Sequence, residues 1–287
     1  MNIEQPQTAW QRWWREPILH FLLIGGLFGL SVALTRWPEV HLLPADWFYL
    51  ALTAHGLDVL LLWIIFFEIA VLYFASSTLL NSRLAAPKLG WVAFGLMLGG
   101  GLITNVSVLQ GESTVMFTSY PPLMAAQHFY LGLILFAVGA LLACGIFFGT
   151  LVIAREEKTY QGSIPLVTYG ALTAAIIAVF TLASGAIILI PTWLWSLGII
   201  SYIDPLMYKL VWWAMGHSSQ QINVSVHVAI WYAIAAMLFV RRTAPEGSYF
   251  ADGDRAAGVF GVISTGFAIL LGFVVFLAFE SYDTSRS

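Results

Sequence analysis

Asp204-Pro205-Leu206-Met207-Tyr208-Lys209-Leu210-Val211-Trp212-Trp213-Ala214-Met215-Gly216-His217 is the stretch on which the reading of this chain turns. It has the apolar character of a membrane helix and ends on an imidazole, which at 1.5 Å per residue lies about 20 Å beyond Asp204. An ionisable ring at that depth is costly to bury, so it is expected to face a bundle interior rather than lipid. Two readings fit it there: a ligand of a metal or heme, or a hydrogen-bonded core histidine. The helix then turns polar, with Ser218, Ser219, Gln220, Gln221, Asn223, Ser225 and His227 inside ten residues. Unpaired polar groups in hydrocarbon cost several kcal/mol each, so this segment is expected to line a cavity, a water path or another polypeptide. Gln221 shares the face of His217, whereas His227 points roughly 80° away and about 15 Å further on, as a hydrogen-bonded helix residue or a proton-transfer group.

Composition places the whole chain with that stretch. Of 287 residues, 60% are hydrophobic and 9% charged, against roughly 25% charged in soluble domains, which puts the chain in lipid. The net charge of −3 offers no basic field for nucleic acid. Cys144 is the single cysteine, which excludes an internal disulfide and a thiolate metal cluster and leaves it a packing role. Phosphate-binding loops, zinc spacings and a supported Ser-His-Asp arrangement are all absent, so soluble hydrolase or nucleotide chemistry has no footing.

Seven segments have the length and apolarity of a span: near 17–36, 47–80, 89–110, 124–154, 164–192, 204–240 and 257–280. They predict an all-α polytopic membrane bundle forming one domain over 1–287, with an interfacial segment at 1–16, the bundle at 17–280 and a tail at 281–287. Arg12 and Arg15, Arg83 and Lys88, Arg155 and Lys158, and Arg241, Arg242 and Arg255 fall in alternate connections. By the positive-inside rule the N-terminus is expected in the cytoplasm and the tail outside. Trp37, Trp47, Trp193, Trp195, Tyr120 and Tyr202 then form an outer headgroup belt, and Trp10, Trp13 and Trp14 an interfacial anchor.

Within this frame His55 lies early in the second span, followed by Gly56, whose missing side chain would let a flat macrocycle approach, as heme ligation requires. The alternative is a satisfied core histidine. Glu68 is read either as a proton relay or as a hydrogen-bonded neutral acid, and Asp58, close to the outer face, as a solvated carboxylate. His20, His41 and His128 fall near span ends, where water reaches them.

Three ordered stretches carry a family likeness: Ala54-His55-Gly56; Thr118-Ser119-Tyr120-Pro121-Pro122-Leu123; and Asp204-Pro205-Leu206 leading to Trp212-Trp213-Ala214-Met215-Gly216-His217. Together they resemble the N-terminal half of subunit I of the heme–copper oxidase superfamily, over about residues 17–240. The likeness is greatest to the B-type branch, which also carries a phrase like Ile164-Pro165-Leu166-Val167-Thr168-Tyr169. The resemblance implies His55 as an axial ligand of a low-spin heme, His217 as a copper ligand of the binuclear center, and Tyr232 as part of a proton path. It also implies a cupredoxin-like or cytochrome c electron-delivery subunit, other oxidase subunits, and a place in the cell inner membrane.

Two departures shape the expectation. Oxidases follow the glycine-histidine pair with Pro-x-Val-Tyr, and that tyrosine donates an electron and a proton during O–O cleavage; here Ser218 and Gln221 stand in its place. Members lacking the tyrosine resemble nitric oxide reductases. The family also has about twelve spans, with further histidines for copper and both hemes in the second half, whereas 257–280 holds no histidine. A single imidazole does not hold copper firmly. The expectation is therefore an O2-reducing oxidase subunit or its N-terminal part, with His217 and Gln221 at the reaction center and Asn223 and Ser225 organising water. Its alternatives are a nitric oxide reductase and a non-catalytic membrane scaffold derived from such a subunit, with an ion channel behind them. High-spin heme and the remaining ligands would come from further chain, separate or continuous.

Overall fold

Apolar residues on every side of a helix leave hydrogen bonding to the backbone itself, and the chain answers with helices joined by loops. The structure, a computed structural model, describes residues 17–235 and the side chains of 20–231. Among the described residues there are no strands. The helices are α1 (Pro17–Arg36), α2 (Ala45–Thr78), α3 (Pro87–Leu109), α4 (Gln127–Glu156), α5 (Leu166–Ser196) and α6 (Pro205–Ala235). The helices α2, α3, α4 and α5 are each long and apolar enough to cross a membrane. Helix α1 has 20 residues, and α6 combines 31 residues with the polar block after His217. The expected interfacial segment at 1–16, the seventh span at 257–280 and the tail lie outside the described residues.

Consecutive helices run antiparallel, and their connections gather at two ends. At the aromatic end Thr53 of α2 accepts a hydrogen bond from the Met116 backbone amide at 2.9 Å, and Tyr208 of α6 donates to the Thr118 carbonyl at 3.0 Å. At the basic end the Ala85 amide donates to Thr150 of α4 at 3.1 Å, Thr159 donates to the Leu80 carbonyl at 2.5 Å, and Arg83 pairs with Glu157 at 3.0 Å.

Close helix crossings come from small residues. A Cβ on Gly132 of α4 would lie 2.6 Å from the Gly100 carbonyl oxygen and 2.9 Å from the Thr104 nitrogen, so α3 and α4 touch backbone to backbone. Thr104, buried at that crossing, donates to the Gly100 carbonyl at 3.0 Å.

Helix α2 departs twice from regular α geometry, through π-helical turns at Asp58–Trp63 and Phe74–Thr78. The second of these leaves the Ala75 carbonyl facing α5, where Thr168 donates to it at 2.9 Å. The first begins three residues after His55, a position typical of π turns, which cluster beside functional side chains.

Candidate functional site

His55 lies about 15 Å along α2 from its aromatic end, and His217 about 18 Å along α6 from the same end. The shallow and deep placements expected for the two rings thus differ, along their helices, by less than a turn.

The His55 ring is half-buried against α1. Its Nδ1 sits 2.8 Å from the Gly25 carbonyl oxygen. A carbonyl only accepts, so Nδ1 carries a proton, and in the neutral ring Nε2 then holds the lone pair. An anchoring hydrogen bond of this kind on one ring nitrogen is what orients a metal-ligating imidazole. Glycines on α1 make the fit possible, because a Cβ on Gly29 would lie 2.6 Å from His55 Cε1, and one on Gly25 would lie 2.8 Å from the Asp58 Cβ. These glycines, four apart on one helix face, carry no motif that sequence reading singled out; their spacing in an apolar span was the available signal.

Gly56 does not open room for a macrocycle. A Cβ there would meet Phe117 at 3.0 Å, so its missing side chain admits the loop between α3 and α4 instead. Asp58 is corrected too: it is fully buried rather than solvated, with Oδ1 accepting from Asn105 Nδ2 of α3 at 2.7 Å. The π turn that starts at Asp58 belongs to the stretch of α2 that lies between α1 and α3.

Two of the stretches that carry the family likeness pack against each other. Ser119, buried and at a positive φ of 42°, has its Oγ 2.9 Å from the Tyr208 hydroxyl. The Tyr120 ring stands edge-on to both Tyr208 and Trp212, at 6.0 Å in each case. Burial raises the Tyr120 phenol above its ordinary value, which keeps it a neutral hydroxyl.

His217 lies on an exposed face of α6, its ring 5.0 Å from that of Trp213. Gln221 is exposed one turn on, as the helical spacing predicts, and Gln220, Val224, His227 and Trp231 continue the same open stripe. The polar block does not need a cavity for all its groups. Ser218, Ser219 and Ser225 donate to the carbonyls of Ala214, Gly216 and Gln221 at 2.6, 2.7 and 2.9 Å, and His227 Nδ1 donates to the Asn223 carbonyl at 2.6 Å. Back-bonding within the helix satisfies these groups locally. Ser219 and Asn223 do border an internal cavity, together with Glu68. Among the described residues no three His, Cys, Asp or Glu side chains converge as a metal site, so His217 stands there as a single candidate copper ligand. The Tyr232 side chain lies outside the described residues. His41 is exposed, and His128 sits 3.6 Å from Glu112 near the aromatic end, as expected of residues that water reaches.

The family model for cytochrome C and quinol oxidase polypeptide I matches residues 17–251. The chain belongs to that family. Cytochrome c oxidase subunit 1 of Thermus thermophilus is 28% identical over 210 residues, covering 68% of this chain and 36% of the relative. Heme-copper oxidase subunit I+III of Aeropyrum pernix is 26% identical over 246 residues, 78% of this chain and 29% of the relative. Cytochrome c oxidase subunit 1 of a Synechocystis species is 25% identical over 218 residues, 71% of this chain and 40% of the relative. Among solved structures, a heme-copper terminal oxidase dimer shares the fold with a TM-score of 0.69 at 24% identity, over 76% of this chain and 38% of that one. The chain thus spans between 29% and 40% of the length of these curated relatives. Family membership and the apolar helices together make it an integral membrane protein.

Proposed function

We propose that this chain works in the catalytic subunit of a respiratory terminal oxidase of the cell inner membrane, with its N-terminus in the cytoplasm. His55 is an axial ligand of a low-spin heme, and His217 is one ligand of the copper in an O2-reducing center. The observation that carries the reading is the His55 ring itself, with Nδ1–H given to Gly25 and the Nε2 lone pair left for iron. Heme bound there would supply reversible one-electron storage between an outer donor and the O2-reducing center.

The chain's own residues set the conditions for that role. Gly25 fixes the tautomer of His55, and Gly29 leaves room for its ring. Trp213 lies against His217, and Gln221 on the same open stripe orders water near the gas site, with Asn223 and Ser225 of the same helix contributing to it. Tyr232 stands further along α6, where it contributes to a proton path. The open stripe receives the polypeptide that completes the copper ligands and brings the high-spin heme. A cupredoxin-like or cytochrome c subunit delivers electrons.

Gln221 favours a second reading within the family, nitric oxide reduction, because an amide cannot supply the electron and proton that a tyrosine gives when an O–O bond breaks. Purified complex assayed for O2 and NO consumption separates the two: rapid O2 reduction with no NO turnover removes the reductase. Reduced-minus-oxidised spectra test both against a scaffold. Sharp low-spin heme bands that vanish in His55→Ala support the proposal, and a purified complex without such bands overturns it.

A further inference from the structure

Glu68 is an acid without a partner among the described residues. It lies about 20 Å beyond His55 along α2, is 6% exposed, and its Oε1 has no hydrogen-bond partner there. Thr181 of α5 is buried as well, and its Oγ1 is equally unpaired. Both residues border one cavity of about 50 Å³ between α2, α4, α5 and α6, whose wall also holds Asn223 and Ser219 of α6 and Cys144 of α4. A water molecule needs roughly 10–15 Å³ of such space and two to four polar partners, so the cavity has room for a few waters and has groups to hold them. Among the described residues an isolated carboxylate in that wall would have no cation to pair with, since Cys144 is the other titratable group they bring to the cavity and α5 and α6 contribute hydroxyls and an amide. Burial of an unpaired charge is relieved by neutralising it.

We propose that this cavity is a water-binding site in which a protonated Glu68 carboxyl donates its O–H to bound water that also bridges to Thr181 and Asn223. The inference does not depend on the chain holding heme or copper.

Infrared spectroscopy of the full chain in its native membrane complex, labelled with ¹³C-glutamate to separate Glu68 from Asp58, tests it. A protonated glutamic acid carbonyl band at neutral pH, lost in Glu68→Gln, moving down in D2O and moving up in Thr181→Val and Asn223→Leu, supports the site. Identical spectra for the native protein and Glu68→Gln overturn it, as does a band that ignores D2O or both cavity substitutions. Should Glu68→Gln fail to fold, the band's response to Thr181→Val decides alone: a shift supports the hydrated acid, and an unmoved band overturns it.

Discussion

Phe117 meets Trp212 edge-on, with ring centroids 5.4 Å apart. On its other side the Phe117 ring and Cβ occupy the space beside Gly56. One side chain from the loop after α3 therefore joins the neighbour of His55 on α2 to the helix that carries His217. The two candidate ligands belong to a single packed unit, and the loop that joins them is pinned by Thr53 and Tyr208.

The first prediction concerns the pose of His55. Gly29→Ala places a methyl 2.6 Å from Cε1 and 2.7 Å from Nδ1, so the ring must turn and lose the Gly25 carbonyl. Loss of such an anchoring bond typically costs about 10–100-fold in affinity for the ligated group. Heme per polypeptide should fall in Gly29→Ala and stay normal in Gly26→Ala, where the added methyl meets nothing within 4 Å. Equal heme content in the two variants would refute the arrangement.

Tyr208→Phe should loosen the loop. The substitution keeps the ring and removes the hydroxyl that serves both Ser119 and the Thr118 carbonyl, leaving buried groups unsatisfied. A loss of about 1–3 kcal/mol is expected. Thermal unfolding in detergent reads it, and an unchanged midpoint would show that water replaces the hydroxyl.

Asn105 and Asp58 should behave as a pair. Asn105→Leu strips the donor from Asp58 Oδ1 in a residue whose Oδ2 already has no partner, and is expected to destabilise by about 1–3 kcal/mol. Asp58→Leu combined with Asn105→Leu removes both polar groups and should recover much of that loss, because replacing both partners costs less than orphaning one. A double-mutant cycle with no coupling would contradict the contact.

At the α3–α4 crossing, Gly132→Ala has no room: the methyl would press on the backbone of α3. Overpacking of this kind typically costs about 1–3 kcal/mol. Gly95→Ala and Gly99→Ala lie on the same α3 helix with open space around the new methyl, and should be neutral or slightly stabilising. Unfolding midpoints of the three variants make the comparison, and equal shifts would argue against a tight crossing.

The helices were legible in the sequence because lipid leaves a backbone few choices: long apolar runs must bond internally, and α2 to α5 follow directly from that. The family likeness was legible as well, because its stretches hold rare residue types, histidine, proline and paired tryptophan, at fixed order. What each of those residues touches was decided by tertiary structure. Asp58 reads as solvated by its position near a span end, yet the packing of α1 and α3 around the π turn buries it against Asn105. Gly56 reads as a gap for a macrocycle, yet Phe117, more than sixty positions away in the chain, fills it. The His55 tautomer rests on a carbonyl thirty residues earlier. Periodicity and composition act along the chain and settle which segments become helices; which faces meet, and so which buried polar groups find partners, depends on side-chain volumes brought together from distant segments.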